Sequence, residues 1–212
     1  LKRKRRAVAW DIDGTLIDSE PLHERALLAV CESYIHSIDE IDAAAFIGIH
    51  MHDVWRILKP KFPAGLNREN WLNEIEAYYI AHIDQADPTP GALAIIQHLD
   101  RSGVLQIFVS NSSRTIVDGN LDRIGIKELG LPSISFNEVP RGKPDPAPYS
   151  AACMRLGVKP EECLAVEDSL AGCRSAHSAG LFTIAFMPPK GLHGDVIDHH
   201  IERLEEVLCF FG

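Results

Sequence analysis

The sequence predicts an α/β protein: a doubly wound, Rossmann-like parallel sheet with an inserted all-α segment. Three observations predict it. From Leu105 onward, short apolar runs alternate with helix-like stretches. Residues 19–86 break that rhythm with helix-like segments and no convincing strand. Polar and mostly acidic residues stand just beyond the carboxyl ends of the apolar runs, where the loops of a parallel sheet converge on one crevice.

Taken in order, "RAVAWD" (6–11) reads as a first strand. The helical insertion follows, with segments near 20–36, 40–47, 52–58 and 68–83, punctuated by Gly48, Pro60, Pro63 and Gly65. Its apolar positions Leu27, Val30, Val54, Ile57, Leu58, Trp71, Ile75 and Tyr78 recur at near-helical spacing and predict a small core of its own. "DPTPGA" (87–92) returns the chain to the sheet. "VLQIFVS" (104–110), "SISF" (133–136), "CLAVED" (163–168) and "LFTIAF" (181–186) are the later strands, with helices over 112–124, 146–156 and 169–179 between them, the last stopped by Gly180. The closing "IERLEEVLCFF" reads as a helix docking its apolar side on the core. Residues 1–18 and 87–212 therefore form the α/β core, and 19–86 a helical cap.

Composition and charge exclude several classes. The 212 residues carry 21 basic and 30 acidic side chains, a net charge of −9. The run Lys2 to Arg6 supplies five of those bases, so the remainder, 16 basic against 30 acidic, stands at −14. A body this acidic repels a polyphosphate backbone, which argues against nucleic acid as a partner. No apolar run approaches the roughly 18 residues of a membrane span, and the basic opening is not followed by a signal-peptide apolar region, so no membrane partner and a cytoplasmic location are expected. The five cysteines form no CxxC pair and read as reduced, mostly buried thiols. His50/His52 and His199/His200 have metal-like residue types but no matching third ligand.

The strand ends deliver Asp11, Asp13 and Thr15 from the first strand, Ser110 and Asn111 from the second, Lys143 after the third, and Glu167, Asp168 and Ser169 from the fourth. Four carboxylates in one crevice repel one another unless a cation lies between them. Oxygen donors alone select a hard ion, and Mg²⁺ is the usual one. Such an ion also gives an acidic protein the local positive field that phosphate binding requires, with Lys143 as a second fixed cation. Asp11 is then placed as a nucleophile on phosphorus, and Asp13 as the acid that protonates the leaving oxygen and afterwards activates water. Ser110, its neighbouring backbone N–H groups and Lys143 would hold the transferring oxygens.

These residues resemble the haloacid dehalogenase superfamily of phosphohydrolases. "DIDGT" (11–15), "VSNSS" (109–113), "RGKPDPAPY" (141–149) and "VEDSLAG" (166–172) match its four motifs in order, over nearly the whole chain. The resemblance implies Asp11 as nucleophile and Asp13 as general acid/base. It implies Mg²⁺ held by Asp11, the Asp13 carbonyl and Asp168, with Glu167 in direct contact or one layer behind. Ser110 and Lys143 would bind phosphate, with Thr15 and Asn111 in support. "DSEPLH" (18–23) resembles the subgroup of β-phosphoglucomutase and many sugar-phosphate and phosphoglycolate phosphatases, which places His23 in the hinge towards the cap.

Haloacid dehalogenation needs no metal and no acid for a leaving halide, so the retained Asp13, Glu167 and Asp168 favour phosphoryl transfer. The mutases of this subgroup hold the distal phosphate with a cap arginine shortly after a glycine. Here the third residue after Gly48 is Met51, and Arg56 lies more than a helical turn further on, which favours a phosphatase of a small phosphorylated metabolite over a mutase. A catalytically silent phosphate-binding module on the same fold is the alternative of a different class. His50, Met51, His52 and Trp55 are candidates for the substrate-selecting surface of the cap, and Arg114 for a further cation at the mouth.

Overall fold

The computed structural model describes residues 5–35, 46, 51–187 and 195–211, apart from the side chain of His52. In chain order the first elements are β1 (Ala7–Asp11), β2 (Ile17–Asp18), α1 (Glu20–Glu32), α2 (Met51–Leu58), α3 (Arg68–Ala81) and β3 (Asp87–Pro88). There follow α4 (Ala92–Arg101), β4 (Leu105–Val109), α5 (Arg114–Ile124), β5 (Ser133–Ile134), α6 (Ala147–Leu156), β6 (Cys163–Glu167), α7 (Leu170–Ser178), β7 (Phe182–Phe186) and β8 (His199–Ile201). The chain divides into two units, Leu1–Asp18 with Asp87–Gly212, and Ser19–Ala86.

The first unit is the doubly wound sheet. Six parallel strands run in the order β5-β4-β1-β6-β7-β8. The chain leaves the central β1 towards β4 and β5, then returns to build β6, β7 and β8 on the other side. The direction of winding thus reverses at β1, the place where such sheets bind ligands. Strands β1 and β6 are buried at every position, which is why they read as continuous apolar runs rather than alternating ones.

Alternation along the strands sorts residues to two helical layers. Ala7, Ala9, Ile107, Val109, Cys163 and Ala165 pack with Tyr149, Ala152 and Cys153 of α6 and Ala176 of α7. On the opposite face Trp10 donates its Nε1–H to Gln106 Oε1 (3.1 Å), and the Gln106 amide donates to the Ile96 carbonyl of α4 (2.9 Å). Every polar atom of that buried pair thereby gains a partner it would otherwise lack in the apolar interior.

The structure departs from the sequence reading at two places in this unit. α4 is an additional helix, and its left-handed N-cap Gly91 (φ 85°) stands so close to Glu205 that a Cβ there would meet the carboxylate at 2.2 Å. The closing segment is not one helix. Ile201 ends strand β8, paired with Phe186, and residues Leu204–Phe210 form a 3-10 helix that buries Leu204 and Val207. The strand captures Ile201 because β7 offers an unpaired edge, and a strand satisfies backbone groups that a helix there would leave exposed on that edge.

The second unit is helical, with α1, α2 and α3 around a core of its own. Trp71, Ile75 and Tyr79 of α3 are buried at a spacing of four, so Tyr79, not the expected Tyr78, closes the inner stripe. Ile57 is 53% exposed, because Val54, Trp55 and Leu58 form the inner face of α2. Trp55 lies 5.4 Å from Trp71 and 5.2 Å from Phe62, ring centre to ring centre. The expected helix over 40–47 lies outside the described residues except at Phe46. Among the described residues no helix is long and apolar enough to cross a membrane.

The cysteines are free, with Cys31, Cys153, Cys163 and Cys173 buried and Cys209 exposed. Burial pushes the Cys31 thiol up to about 11, and burial together with the Glu167 carboxylate pushes Cys173 up to about 12, so these thiols are inert at neutral pH.

Candidate active site

Strand register builds the site. Asp11, last in β1, pairs with Val109, so Ser110 stands one residue beyond it on the β4 side. Trp10 pairs with Val166, so Glu167 stands beside Asp11 on the β6 side. By alternation Asp11 and Glu167 continue the rows Ala7-Ala9 and Cys163-Ala165, which face α6 and α7. There Lys143, from the loop before α6, meets both.

The Lys143 ammonium donates to Asp11 Oδ1 (2.5 Å), to the Val109 carbonyl (2.9 Å) and to Glu167 Oε1 (2.6 Å). These three bonds use all the donors a lysine has. Burial alone would lower its proton affinity, but the carboxylates of Asp11 and Glu167 outweigh that and hold Lys143 charged. Glu167 is fully buried; Oε1 also accepts from the Tyr149 hydroxyl, and Oε2 from Ser169 Oγ (3.3 Å). Burial and the neighbouring Glu167 push the Tyr149 phenol well up, which keeps it a donor. Gly172 leaves room for Glu167, since a Cβ there would lie 1.7 Å from Oε2. The N-terminus of α7 is capped independently by Ser169, whose Oγ accepts from Gly172 N–H (3.0 Å).

Asp11 is 5% exposed, and its second oxygen, Oδ2, has no hydrogen-bond partner. Burial first, then Glu167, with further contributions from Asp168 and Asp13, push the Asp11 carboxyl well above the usual range, and Lys143 offsets only part of this. Oxygens of Asp11, Glu167 and Asp168 lie within 4.8 Å of one another. The turn after β1 closes on itself through Thr15 N–H to Ile12 O (3.2 Å), Leu16 N–H to Ile12 O (2.9 Å) and Gly14 N–H to Ile17 O (2.9 Å). Gly14 has φ 79°, and a Cβ on it would lie 2.1 Å from Asp168 Oδ2. A cleft of about 480 Å³ opens beside Gly14 and Asp168, walled by Asp18, Asp87, Pro88, Phe186 and Met187 among others.

Asp13 is reached from the other helical layer. Its Oδ2 accepts from Ser110 Oγ (2.7 Å) and Ser112 Oγ (3.0 Å), and its Oδ1 from Asn120 Nδ2 (3.0 Å). Ser110 Oγ in turn accepts from Ser112 N–H (2.8 Å). The two aspartates thus have separate supports: Lys143 for Asp11, the β4 loop and α5 for Asp13.

The remaining residues singled out by sequence divide into several groups. The Thr15 hydroxyl is fully buried and has no hydrogen-bond partner. Asn111 uses its amide on the Lys143 backbone, accepting from N–H (2.7 Å) and donating to C=O (3.1 Å), so it fixes the lysine loop. Arg114 does not supply a free cation. Its guanidinium binds Asp118 (3.0 Å), Ser133 Oγ (2.7 Å) and Glu138, where the excess of acidic groups draws it in. His23 belongs to the second unit, where its ring lies 4.5 Å from that of Tyr79. In the same unit Arg56 pairs with Asp53 on the exposed side of α2 (2.9 Å). His50 lies outside the described residues.

Sequence reasoning missed Tyr149, Ser112 and Asn120. Tyr149 and Ser112 stand inside quoted motifs, "RGKPDPAPY" and "VSNSS", but no spacing rule marks their hydroxyls. For Asn120 the available signal was a polar residue on the apolar stripe Ile116, Val117, Leu121, Ile124 of its helix.

The profile of the haloacid dehalogenase-like hydrolases matches residues 5–180. Hexitol phosphatase A of Escherichia coli K12 is 30% identical over 208 residues, covering 92% of this chain and 91% of its own. N-acetylmuramic acid 6-phosphate phosphatase of Pseudomonas aeruginosa is 26% identical over 226 residues, covering 98% and 97%. In fold the chain is similar to CbbY from Rhodobacter sphaeroides, crystallised with phosphate, with a TM-score of 0.85 at 23% identity and 98% and 99% coverage.

Proposed function

The chain belongs to the haloacid dehalogenase-like hydrolases, and on that premise we propose that it is a Mg²⁺-dependent phosphatase of a small phosphorylated metabolite. The ester is a sugar phosphate or a phosphoglycolate-like compound, and the reaction runs through an aspartyl phosphate. The observation that carries this reading is the Asp11 carboxylate: buried, held at Oδ1 by Lys143, and without a hydrogen-bond partner at Oδ2. An unpartnered buried carboxylate oxygen is costly unless a cation or an electrophile completes it. The relatives named as a hexitol phosphatase and an N-acetylmuramic acid 6-phosphate phosphatase support a carbohydrate ester.

The donor set fits Mg²⁺, being all oxygen and clustered within 4.8 Å. Glu167 already accepts from Lys143, Tyr149 and Ser169. Asp11, Asp168 and the Asp13 carbonyl would therefore hold the ion, with Glu167 orienting Lys143 behind them. When bound, the ion supplies the positive charge that lets a phosphate approach these carboxylates.

Asp11 attacks phosphorus, and the bond from phosphorus to the ester oxygen breaks as Asp13 gives that oxygen its proton. Asp13, now a carboxylate, takes a proton from water. The water oxygen attacks the aspartyl phosphate, the bond from phosphorus to Asp11 breaks, and inorganic phosphate leaves. Ser110, on binding phosphate, exchanges its bond to Asp13 for one to a phosphate oxygen, while Ser112 and Asn120 keep Asp13 in place.

Phosphate release from hexitol and hexose phosphates, N-acetylmuramic acid 6-phosphate and phosphoglycolate, with Mg²⁺ or with EDTA, tests the proposal. Release from at least one ester with Mg²⁺ and none with EDTA is expected. Isomerisation of β-glucose 1-phosphate without free phosphate would instead identify a mutase, and no reaction with any ester would leave a binding module.

A further inference from the structure

Helix α5 buries Ile116, Val117, Leu121 and Ile124, and in the middle of that apolar stripe it buries Asn120, with no exposed surface. A primary amide in an apolar layer is costly unless its hydrogen bonds are made. The Asn120 amide donates to Asp13 Oδ1 at 3.0 Å, a contact across 107 positions of sequence. The amide N–H thus meets Oδ1, which accepts whether Asp13 is a carboxylate or carries its proton on Oδ2.

Asp13 Oδ2 is shared by two hydroxyls, Ser110 and Ser112, on the flexible-rotor end of the β4 loop. Under the reading of Asp13 as general acid, Ser110 must turn to the phosphate. Asn120 donates to Oδ1 and comes from a buried helix rather than a loop.

We infer that Asn120 is a positioning residue: it fixes the rotation of the Asp13 carboxyl, leaving Oδ2 as the oxygen that meets the ester oxygen and delivers the proton. The inference rests on the phosphatase reading and extends it to a residue outside the four motifs. Its consequence is specific to leaving groups. An alkoxide from a sugar alcohol is a poor leaving group and needs the proton, whereas p-nitrophenolate leaves without one. Losing the aim of Asp13 therefore penalises the first ester and spares the second.

The experiment compares kcat/KM, which reports only steps up to formation of the phosphoenzyme, for an alkyl phosphate (sorbitol 6-phosphate) and for p-nitrophenyl phosphate. It uses the wild-type protein, Asn120→Leu and Asn120→Ala, each with Mg²⁺. Ile116→Val on the same helix serves as a packing control. The expected result is a loss of about 10-fold or more for sorbitol 6-phosphate in both Asn120 variants, with less than about 3-fold for p-nitrophenyl phosphate, the loss being a part of the roughly 100- to 10,000-fold that a general acid contributes. Ile116→Val should leave the ratio of the two esters unchanged. An equal loss for both esters, or no loss for either, overturns the inference while wild-type turnover leaves the phosphatase reading standing. If Asn120→Leu does not fold, Asn120→Ala alone decides the ratio. A wild-type protein inactive on p-nitrophenyl phosphate and on every ester of the panel above overturns the reading first and the inference with it; where another alkyl ester of that panel is the one hydrolysed, it takes the place of sorbitol 6-phosphate.

Discussion

At the scale of single residues, the crevice shows how little freedom each position has. Gly14 combines a left-handed backbone (φ 79°) with a Cβ position 2.1 Å from Asp168 Oδ2. Gly14→Ala should destabilise by about 1–3 kcal/mol and displace Asp168, weakening Mg²⁺ binding at least tenfold. Isothermal titration with Mg²⁺ checks this, and unchanged affinity would show that Asp168 is not a ligand. Glu138 gives a pH prediction. Partial burial raises its pKa, but bonds from Ser135, Arg114 and Arg155 outweigh that and hold it at about 2. A carboxyl whose folded pKa is depressed stabilises the protein above its ordinary pKa and loses that contribution as pH falls towards the folded value. The stability difference between wild type and Glu138→Gln should therefore be full at pH 7 and shrink from about pH 4.5 to about pH 2. Urea unfolding across that range measures it, and a constant difference would contradict it. The motif residues were legible because each sits at a fixed offset from a strand end. Asn120 was not, because its partner lies 107 positions away and a lone polar residue on an apolar stripe looks like an imperfection until the fold supplies the partner.

At the scale of elements, periodicity told strands from helices but not which residue of a pair faces inward. In α3 the stripe Trp71, Ile75, Tyr79 is set by a spacing of four, and the adjacent Tyr78 competes for it on hydrophobicity alone. The final segment carried apolar residues that suit a helix, yet β7 recruited His199–Ile201 as an edge strand, a choice made by pairing partners rather than by local preference. Helix α4 escaped because its N-cap is a left-handed glycine without a capping side chain, flanked by Pro90. Where a capping residue is present its effect should be measurable. Asn67 accepts from Asn70 N–H (2.9 Å) at the start of α3, so Asn67→Ala should cost the second unit about 1 kcal/mol, read as a lowered midpoint in denaturant unfolding. No shift would mean that packing of Trp71 alone sets that helix terminus.

At the scale of the whole molecule, a parallel sheet gathers residues from four distant segments at the point where its winding reverses, and does so in a chain of net charge −9. Stability and function should then oppose each other at the centre. Burial and three neighbouring carboxylates disfavour the ionised Asp11 in the metal-free protein, so Asp11→Asn should raise the melting temperature in EDTA and abolish the further rise that Mg²⁺ gives the wild type. A variant less stable than wild type in EDTA would show that the bond from Lys143 outweighs the repulsion. The central claim is that Asp11 accepts the phosphoryl group. Its most direct test is to quench wild type and Asp11→Asn in acid during turnover of the best ester with Mg²⁺, and to map the phosphorylated peptide by mass spectrometry. A phosphoryl group on Asp11 of the wild type, with neither phosphopeptide nor phosphate release in Asp11→Asn, is the predicted result. Turnover retained by Asp11→Asn, or a phosphoryl group on another residue, would contradict the account.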